Sequence, residues 1–239
     1  MKKILTAFFL LVFVSKTFAL GDKFKLGLMV SPGLAWYTPQ GKDLTMGAVG
    51  FGMNYGLQFE YYFKPNNYAF VTGVFGGMEA GQIKSRDAFS LLTSGKNVTE
   101  KYFNHNVQIP LAIKLKTNNI KSSKFRIYGQ VGFTNVINVS SRATFDQTLV
   151  VGSTDVVVDK ENMLRNGNEV QKAIPGFKMN FYDLRLDLGA GIEMDLDAKT
   201  SMLFGVQFQN GFLNQIKDND AKNEPINMRN FNFKVGVIF

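Results

Sequence analysis

Residues Phe181–Met194 read FYDLRLDLGAGIEM, and every even position from Tyr182 to Met194 is apolar. The odd positions from Asp183 to Glu193 are charged or glycine. A strict period of two marks a β-strand with one apolar and one polar face. A helical period would mix Arg185 and Gly189 onto the face of Tyr182, so the strand is the better reading. What remains open is which surroundings each face meets.

Working outward, seven further segments alternate in the same way: 24–36, 47–63, 68–83, 102–116, 125–140, 202–216 and 227–239. Large aromatics recur on the apolar side, as in Val49, Phe51, Met53, Tyr55, Leu57, Phe59, Tyr61 and Phe63. The segments exceed the ~5–6 residues of an ordinary strand. These features predict an all-β, eight-stranded antiparallel up-and-down transmembrane β-barrel, with the apolar faces toward lipid. Closure is required because an open edge in lipid leaves backbone groups unpaired, at several kcal/mol each.

The connections support the same reading. Residues 64–67, 117–123 and 196–200 are short and turn-rich, whereas 37–46, 84–101, 141–179 and 217–226 are longer. Short periplasmic turns and long external loops are the pattern of outer-membrane barrels, and an even strand count places both termini in the periplasm. Tyr61, Phe63, Tyr68, Phe125 and Phe239 then fall near one membrane edge, and Trp36, Phe103, Tyr182, Phe212 and Phe231 near the other.

The first residues fit an export route. Lys2 and Lys3 precede the apolar run Ile4–Val14, and Thr17-Phe18-Ala19 offers a cleavage site, so residues 1–19 are expected to be a signal peptide and 20–239 the barrel. Eleven apolar residues fall short of the roughly 20 that a spanning helix needs. There is no cysteine, which excludes a disulfide framework and thiolate chemistry. Loss of Lys2, Lys3 and Lys16 takes the formal net charge from +8 to +5. That mild excess suits anionic lipid and lipopolysaccharide headgroups and does not speak for nucleic acid.

Gln108-Ile109-Pro110-Leu111-Ala112-Ile113-Lys114 and Leu188-Gly189-Ala190-Gly191-Ile192-Glu193 resemble two strands of the PorT-like outer-membrane β-barrel family of Bacteroidota. Val235–Phe239 is similar to its closing strand, and the terminal Phe239 resembles the signal read by the barrel-assembly machinery. The resemblance implies fold and location. It carries no catalytic residue, and an accessory role in type IX secretion is implied only through the family's namesake.

The inward face carries Lys25, Glu60, Glu79, Lys114, Lys116, Arg126, Asp183, Arg185, Asp187, Glu193 and Lys234, together with most of the glycines. An eight-stranded barrel is just wide enough for its side chains to fill. A salt-bridged plug is therefore expected in place of a conducting pore, with Glu193 meeting Arg126 and Glu60 meeting Lys25. Gly50-Phe51-Gly52 and Gly189-Ala190-Gly191 lie mid-strand and lack the strand–turn–helix context of a phosphate loop. With one histidine and no cysteine, no metal or other cofactor is indicated.

His105 points outward near the external rim, where a lipid-modifying enzyme would place a base. With the 117–123 turn setting the register, its neighbour is expected to be Asn135, with Met78, Ala80 and Gln82 outward on the preceding strand. No serine or carboxylate is then placed for a triad, so the chain reads as non-enzymatic. Asp183 and Asp187 share a face, but Arg185 stands between them, which suits structure better than acid–base work.

The longest loop, 141–180, is the candidate site of function. Thr148, Leu149, Val150 and Val151, then Asp155, Val156, Val157 and Val158, flank Gly152-Ser153-Thr154 and predict a hairpin above the membrane. Its exposed apolar edge would offer a partner protein a strand to pair with. Sequence alone thus points to a barrel that binds a partner or supports the envelope through its loops.

Overall fold

The computed structural model describes residues 23–41, 44–64, 67–85, 97–120, 124–151, 153–173, 177–197, 199–217 and 225–239. The expected signal peptide lies outside them. Eight wall strands follow the alternating segments: β1 (Phe24–Pro39), β2 (Leu44–Lys64), β3 (Tyr68–Ser85), β4 (Val98–Lys116), β5 (Phe125–Phe145), β10 (Tyr182–Asp195), β11 (Ser201–Gly211) and β13 (Ile226–Ile238). Each pairs antiparallel with the next, β10 follows β5, and β13 returns to β1, so the sheet closes.

The register defines the shape. Stepping sideways from Leu26 leads through Phe59, Thr72, Leu111, Phe133, Leu186, Asn210 and Arg229 to Trp36. The path returns to β1 ten residues nearer its long-loop end. That stagger tilts the strands and sets the narrow bore of an eight-stranded barrel.

Alternation along each strand separates two environments. Phe51, Phe59, Phe63, Val74, Ile127, Phe133 and Phe233 project outward and are exposed, while the polar face is buried inside. Phe24 and Tyr61 stack at 4.8 Å on the short-turn side. On the long-loop side Phe133 and Phe212 approach to 6.2 Å.

The walls are uneven. β5 pairs with β10 only as far as Ile137 opposite Tyr182, yet it continues to Phe145 beside β4. β2 to β5 therefore project past the rest of the rim. In the last wall hairpin the expected strand 202–216 stops at Gly211, and Ile216–Lys217 (β12) pairs instead with Lys178–Met179 (β9). The loop between β5 and β10 holds β6 (Leu149–Val151), β7 (Thr154–Val156), β8 (Glu161–Asn162) and the short helix α1 (Glu169–Ala173). β6 and β7 form the expected hairpin, and β8 pairs antiparallel with β5 at Arg142 and Ala143.

Candidate functional site

The lumen is filled in tiers. Nearest the short turns, Glu60 on β2 accepts hydrogen bonds from Gln58 Nε2 (2.6 Å), Lys114 Nζ (2.7 Å) and the Tyr62 hydroxyl. Lys114 also donates to Glu193, which takes a second donor from Lys116 at 2.7 Å. The ammonium of Lys114 lies 4.7 Å from the Tyr128 ring centroid, and that of Lys116 lies 4.5 Å from Tyr62. Two carboxylates and two ammoniums thus neutralise one another away from water, where an isolated charge would cost several kcal/mol.

The pairing differs from the sequence expectation. Lys25 and Glu193 have the expected backbone partners, Glu60 and Arg126. Glu60 nevertheless takes Lys114 from across the lumen, and Lys25 lies 5.8 Å from the Tyr62 ring. Arg126 turns to the rim and pairs with Asp195, freeing Glu193 for the two lysines. Facing backbones fix which side chains are adjacent. In a bore this narrow, long side chains reach the opposite wall as readily as the neighbouring strand.

In the middle tier Asp187 accepts from Thr134 Oγ1 (2.8 Å) and Gln207 Nε2 (2.7 Å). Lys234 faces a small cavity bounded by Asn54, Phe75, Gln108 and Gln130, with room for about one water. Above it Arg185 holds Glu79 with both terminal nitrogens and Asp183 Oδ2 with Nε at 2.7 Å. Asn230 and Gln108 add donors to Glu79 at 2.6 and 3.1 Å.

Glycines set the space for these groups. A Cβ at Gly191 or Gly205 would press on the Tyr128 ring, and one at Gly77 would meet Asn106, Asn54 and Gln108. The inward glycines make room for side chains of nearby strands, and no phosphate-binding turn is formed at 50–52 or 189–191, which are strand.

The uppermost tier changes character. Inward residues are now mostly apolar: Ile83, Val98, Tyr102, Ala143 and Phe145 at the projecting ends, with Tyr37 on β1. They form one buried cluster with Leu149, Val156, Val158, Met163, Val170 and Phe177 from the long loop. The hydroxyl of Tyr102 donates to Glu100 at 2.5 Å, and Asn104 donates to the Tyr37 hydroxyl at 2.7 Å. The loop is a folded cap seated in the barrel mouth.

This corrects the picture of an exposed apolar hairpin edge. Leu149, Val156 and Val158 are buried in the cap, and only Val150 and Val157 are apolar and exposed among the described side chains of the hairpin. Thr148 and Asp155 are exposed. The alternation in 148–158 made these residues visible as a hairpin. It did not show that one face would be occupied by the barrel's own upper walls.

His105 also differs. Its register partners are Ser140 on β5 and Met78 on β3, and Asn135 instead faces Ile109. A bulge between His105 and Asn106, with a link that brings Lys116 opposite Tyr128, produces the shift. Phe103 packs edge-on against the imidazole at 4.9 Å. The residues around the His105–Ser140 pair are Met78, Phe103, Val107 and Arg142, and none is a carboxylate. Among the described residues no cluster of three or more His, Asp or Glu side chains is arranged to hold a metal ion.

A closed antiparallel barrel with an outward apolar band and a charged, filled interior is a transmembrane β-barrel. The chain belongs to the outer membrane protein beta-barrel domain family, whose match covers residues 4–239, and its location is the bacterial outer membrane. Solved structures similar to it include Neisserial surface protein A (10% identity, 89% of this chain and 95% of that one, TM-score 0.40). OprG from Pseudomonas aeruginosa is 13% identical over 92% of this chain and 98% of its own, with TM-score 0.45. Ail, the attachment invasion locus protein of Yersinia pestis, is 13% identical over 91% and 99%, with TM-score 0.32. None of the curated proteins compared with the chain matches it.

Proposed function

We propose that this protein is a non-enzymatic component of the outer membrane, sealed against solutes, that acts through the cap on its long-loop end. In this reading both termini lie in the periplasm and the cap faces outside. The observation that carries it is the double closure of the bore. Lys114 and Lys116 tie Glu60 and Glu193 together low in the barrel. The loop closes the other end through one buried cluster shared with the upper walls. A long loop folded to this degree serves display or structure better than gating. Exposed Val150, Val157 and Asp155 on the cap are its candidate contact residues for a protein partner.

The resemblance to the PorT-like family supports a second reading, an accessory role in protein secretion. The residues that carry it build walls: Gln108 and Glu193 lie in the lumen network, and Leu188 and Val235 face outward. For a lipid-modifying role with His105 as base, no carboxylate among the described register neighbours of His105 stands to orient the imidazole.

Because the chain has no cysteine, a Val157→Cys variant carries one labelling site. A membrane-impermeant maleimide should label it on intact cells; labelling only after the outer membrane is opened would overturn the orientation. Deleting residues 147–159 should leave a folded barrel and impair adhesion, envelope integrity or secretion. If all three persist unchanged, the cap is not the acting surface. Lipid A from a His105→Ala strain should match wild type; a changed lipid pattern would establish the enzyme instead.

A further inference from the structure

One ammonium in the lumen has no counterion. Lys114 and Lys116 are matched by Glu60 and Glu193, and Arg185 by Glu79 and Asp183. Lys234 on β13 is only 5% exposed, and among the described residues no ion pair or hydrogen bond engages it. Its ammonium lies 6.0 Å from the Phe75 ring centroid, beside the mid-lumen cavity that both residues line. A buried charge left in this state costs several kcal/mol.

The wall of that cavity offers donors. Ser31 and Gln130, 2% and 7% exposed, line it as well and likewise have no partner among the described residues. A hydroxyl, a primary amide and an ammonium thus open on one space. Among the described residues no carboxylate lines it. Asp187 and Glu79 lie behind the wall: Thr134 and Gln207, which line the cavity, donate to Asp187, and Gln108 donates to Glu79. The only full charge on the wall is positive.

The backbone is interrupted at the same level. Pro32 on β1 has no N–H to give, and the β1–β13 ladder skips Ser31 and Pro32 against Phe233 and Lys234. Pro110 acts alike on β4, where the β3–β4 ladder skips Gly73 and Val74 against Ile109 and Pro110. Both breaks touch the cavity, through Ser31 and Lys234 on one side and Pro110 on the other. The space left admits the centre of a water-sized sphere over about 20 Å³. One water needs ~10–15 Å³ on that measure, so a single-atom anion fits and a tetrahedral oxyanion does not.

We propose that this chamber is a halide site, holding chloride against Lys234 with Gln130 and Ser31 as further donors. Water would satisfy the donors but leave the ammonium uncompensated. The bound ion is a fixed part of the plug between the two salt-bridged tiers, and the site is independent of which end of the barrel faces outside.

The test uses the full mature protein refolded and crystallised in sodium bromide. Bromine anomalous density should stand in the chamber beside Lys234 in wild type and be absent in Lys234→Met. Urea unfolding in phosphatidylcholine vesicles gives a second readout. Replacing sulfate by chloride at constant ionic strength should raise the folding equilibrium constant of wild type by about tenfold or more, because a ligand of the folded state stabilises by mass action. Lys234→Met should gain nothing from chloride. Gln130→Leu, which keeps the ammonium and removes one donor, should gain clearly less than wild type, and it replaces Lys234→Met if that variant does not fold. Heat-modified gel migration reports folding. Bromine density confined to the outer surface would mean an adventitious ion only and a chamber that holds water. That result, density that persists in Lys234→Met, a chloride gain in Gln130→Leu equal to that of wild type, or equal stabilisation of wild type by chloride and sulfate would each overturn the proposal.

Discussion

Arg185 on β10 reaches across the barrel to Glu79 on β3, with Nη1–Oε1 at 2.7 Å and Nη2–Oε2 at 3.0 Å. The two strands are not neighbours in the sheet. A bidentate guanidinium–carboxylate pair fixes geometry as well as charge, so the pair ties opposite walls together. Arg185 simultaneously serves Asp183.

That sharing orders two substitutions. Arg185→Met leaves two buried carboxylates without their cation and should cost about 3–5 kcal/mol. Glu79→Gln leaves Arg185 paired with Asp183 and should cost clearly less. Urea unfolding in lipid vesicles gives both values. The opposite order would mean that Glu79, not Arg185, is the hub.

Tyr128 predicts a size limit at a distant strand. A Cβ at Gly205 on β11 would meet the Tyr128 hydroxyl. Gly205→Ala should therefore destabilise by about 1–3 kcal/mol, the usual cost of overpacking. Adding Tyr128→Phe should recover part of the loss in the same unfolding measurement. An additive pair would contradict the contact.

The cap packs on the upper walls of the barrel through one shared cluster. Leu149 is fully buried between the hairpin and the upper walls. Leu149→Ala should cost about 2–5 kcal/mol within the cap. Proteolysis near Ser153 should accelerate while the barrel keeps its folded gel migration. Equal protease resistance in the variant would mean that the loop is held by something other than this core.

The short turn between β10 and β11 carries a pH-dependent term. Backbone N–H groups of Lys199 (2.8 Å) and then Thr200 (2.7 Å) donate to Asp197 and hold its carboxyl below the usual carboxylate range. A folded-state pKa below the unfolded one, about 3.9, gives a contribution that is complete above that value. It is lost as pH falls through the lower, folded one. The amide resonances of Lys199 and Thr200 should shift in that acidic window in wild type, and should not titrate there in Asp197→Ala.

Much of the barrel was legible because lipid and lumen impose opposite polarity on alternate residues. Phe51, Gly52, Met53 and Asn54 are enough to orient β2. The rule fails above the membrane edge. At Val98, Tyr102, Ala143 and Phe145 the alternation continues, but the apolar side now faces inward to the cap. A reading that equates apolar with outward stops the strands short, at Tyr102 and Ser140. Register was the second gap. The link after Lys116 and the bulge beside His105 move the partner of His105 from Asn135 to Ser140. Ion-pair partners were the third, since Lys114 spans the bore to Glu60 while Lys25, beside Glu60 in register, does not pair with it. Alternation fixes which face a residue occupies, but not its reach across a closed interior.

The central claim is that this barrel is sealed, by Glu60, Lys114, Glu193 and Lys116 within and by the cap above. Single-channel recording of the purified, folded protein in a planar bilayer tests it directly. Wild type should show no steady conductance, and deletion of residues 147–159 alone should open none, because the salt-bridged tier still fills the bore. A stable, ion-selective open level in wild type would contradict it.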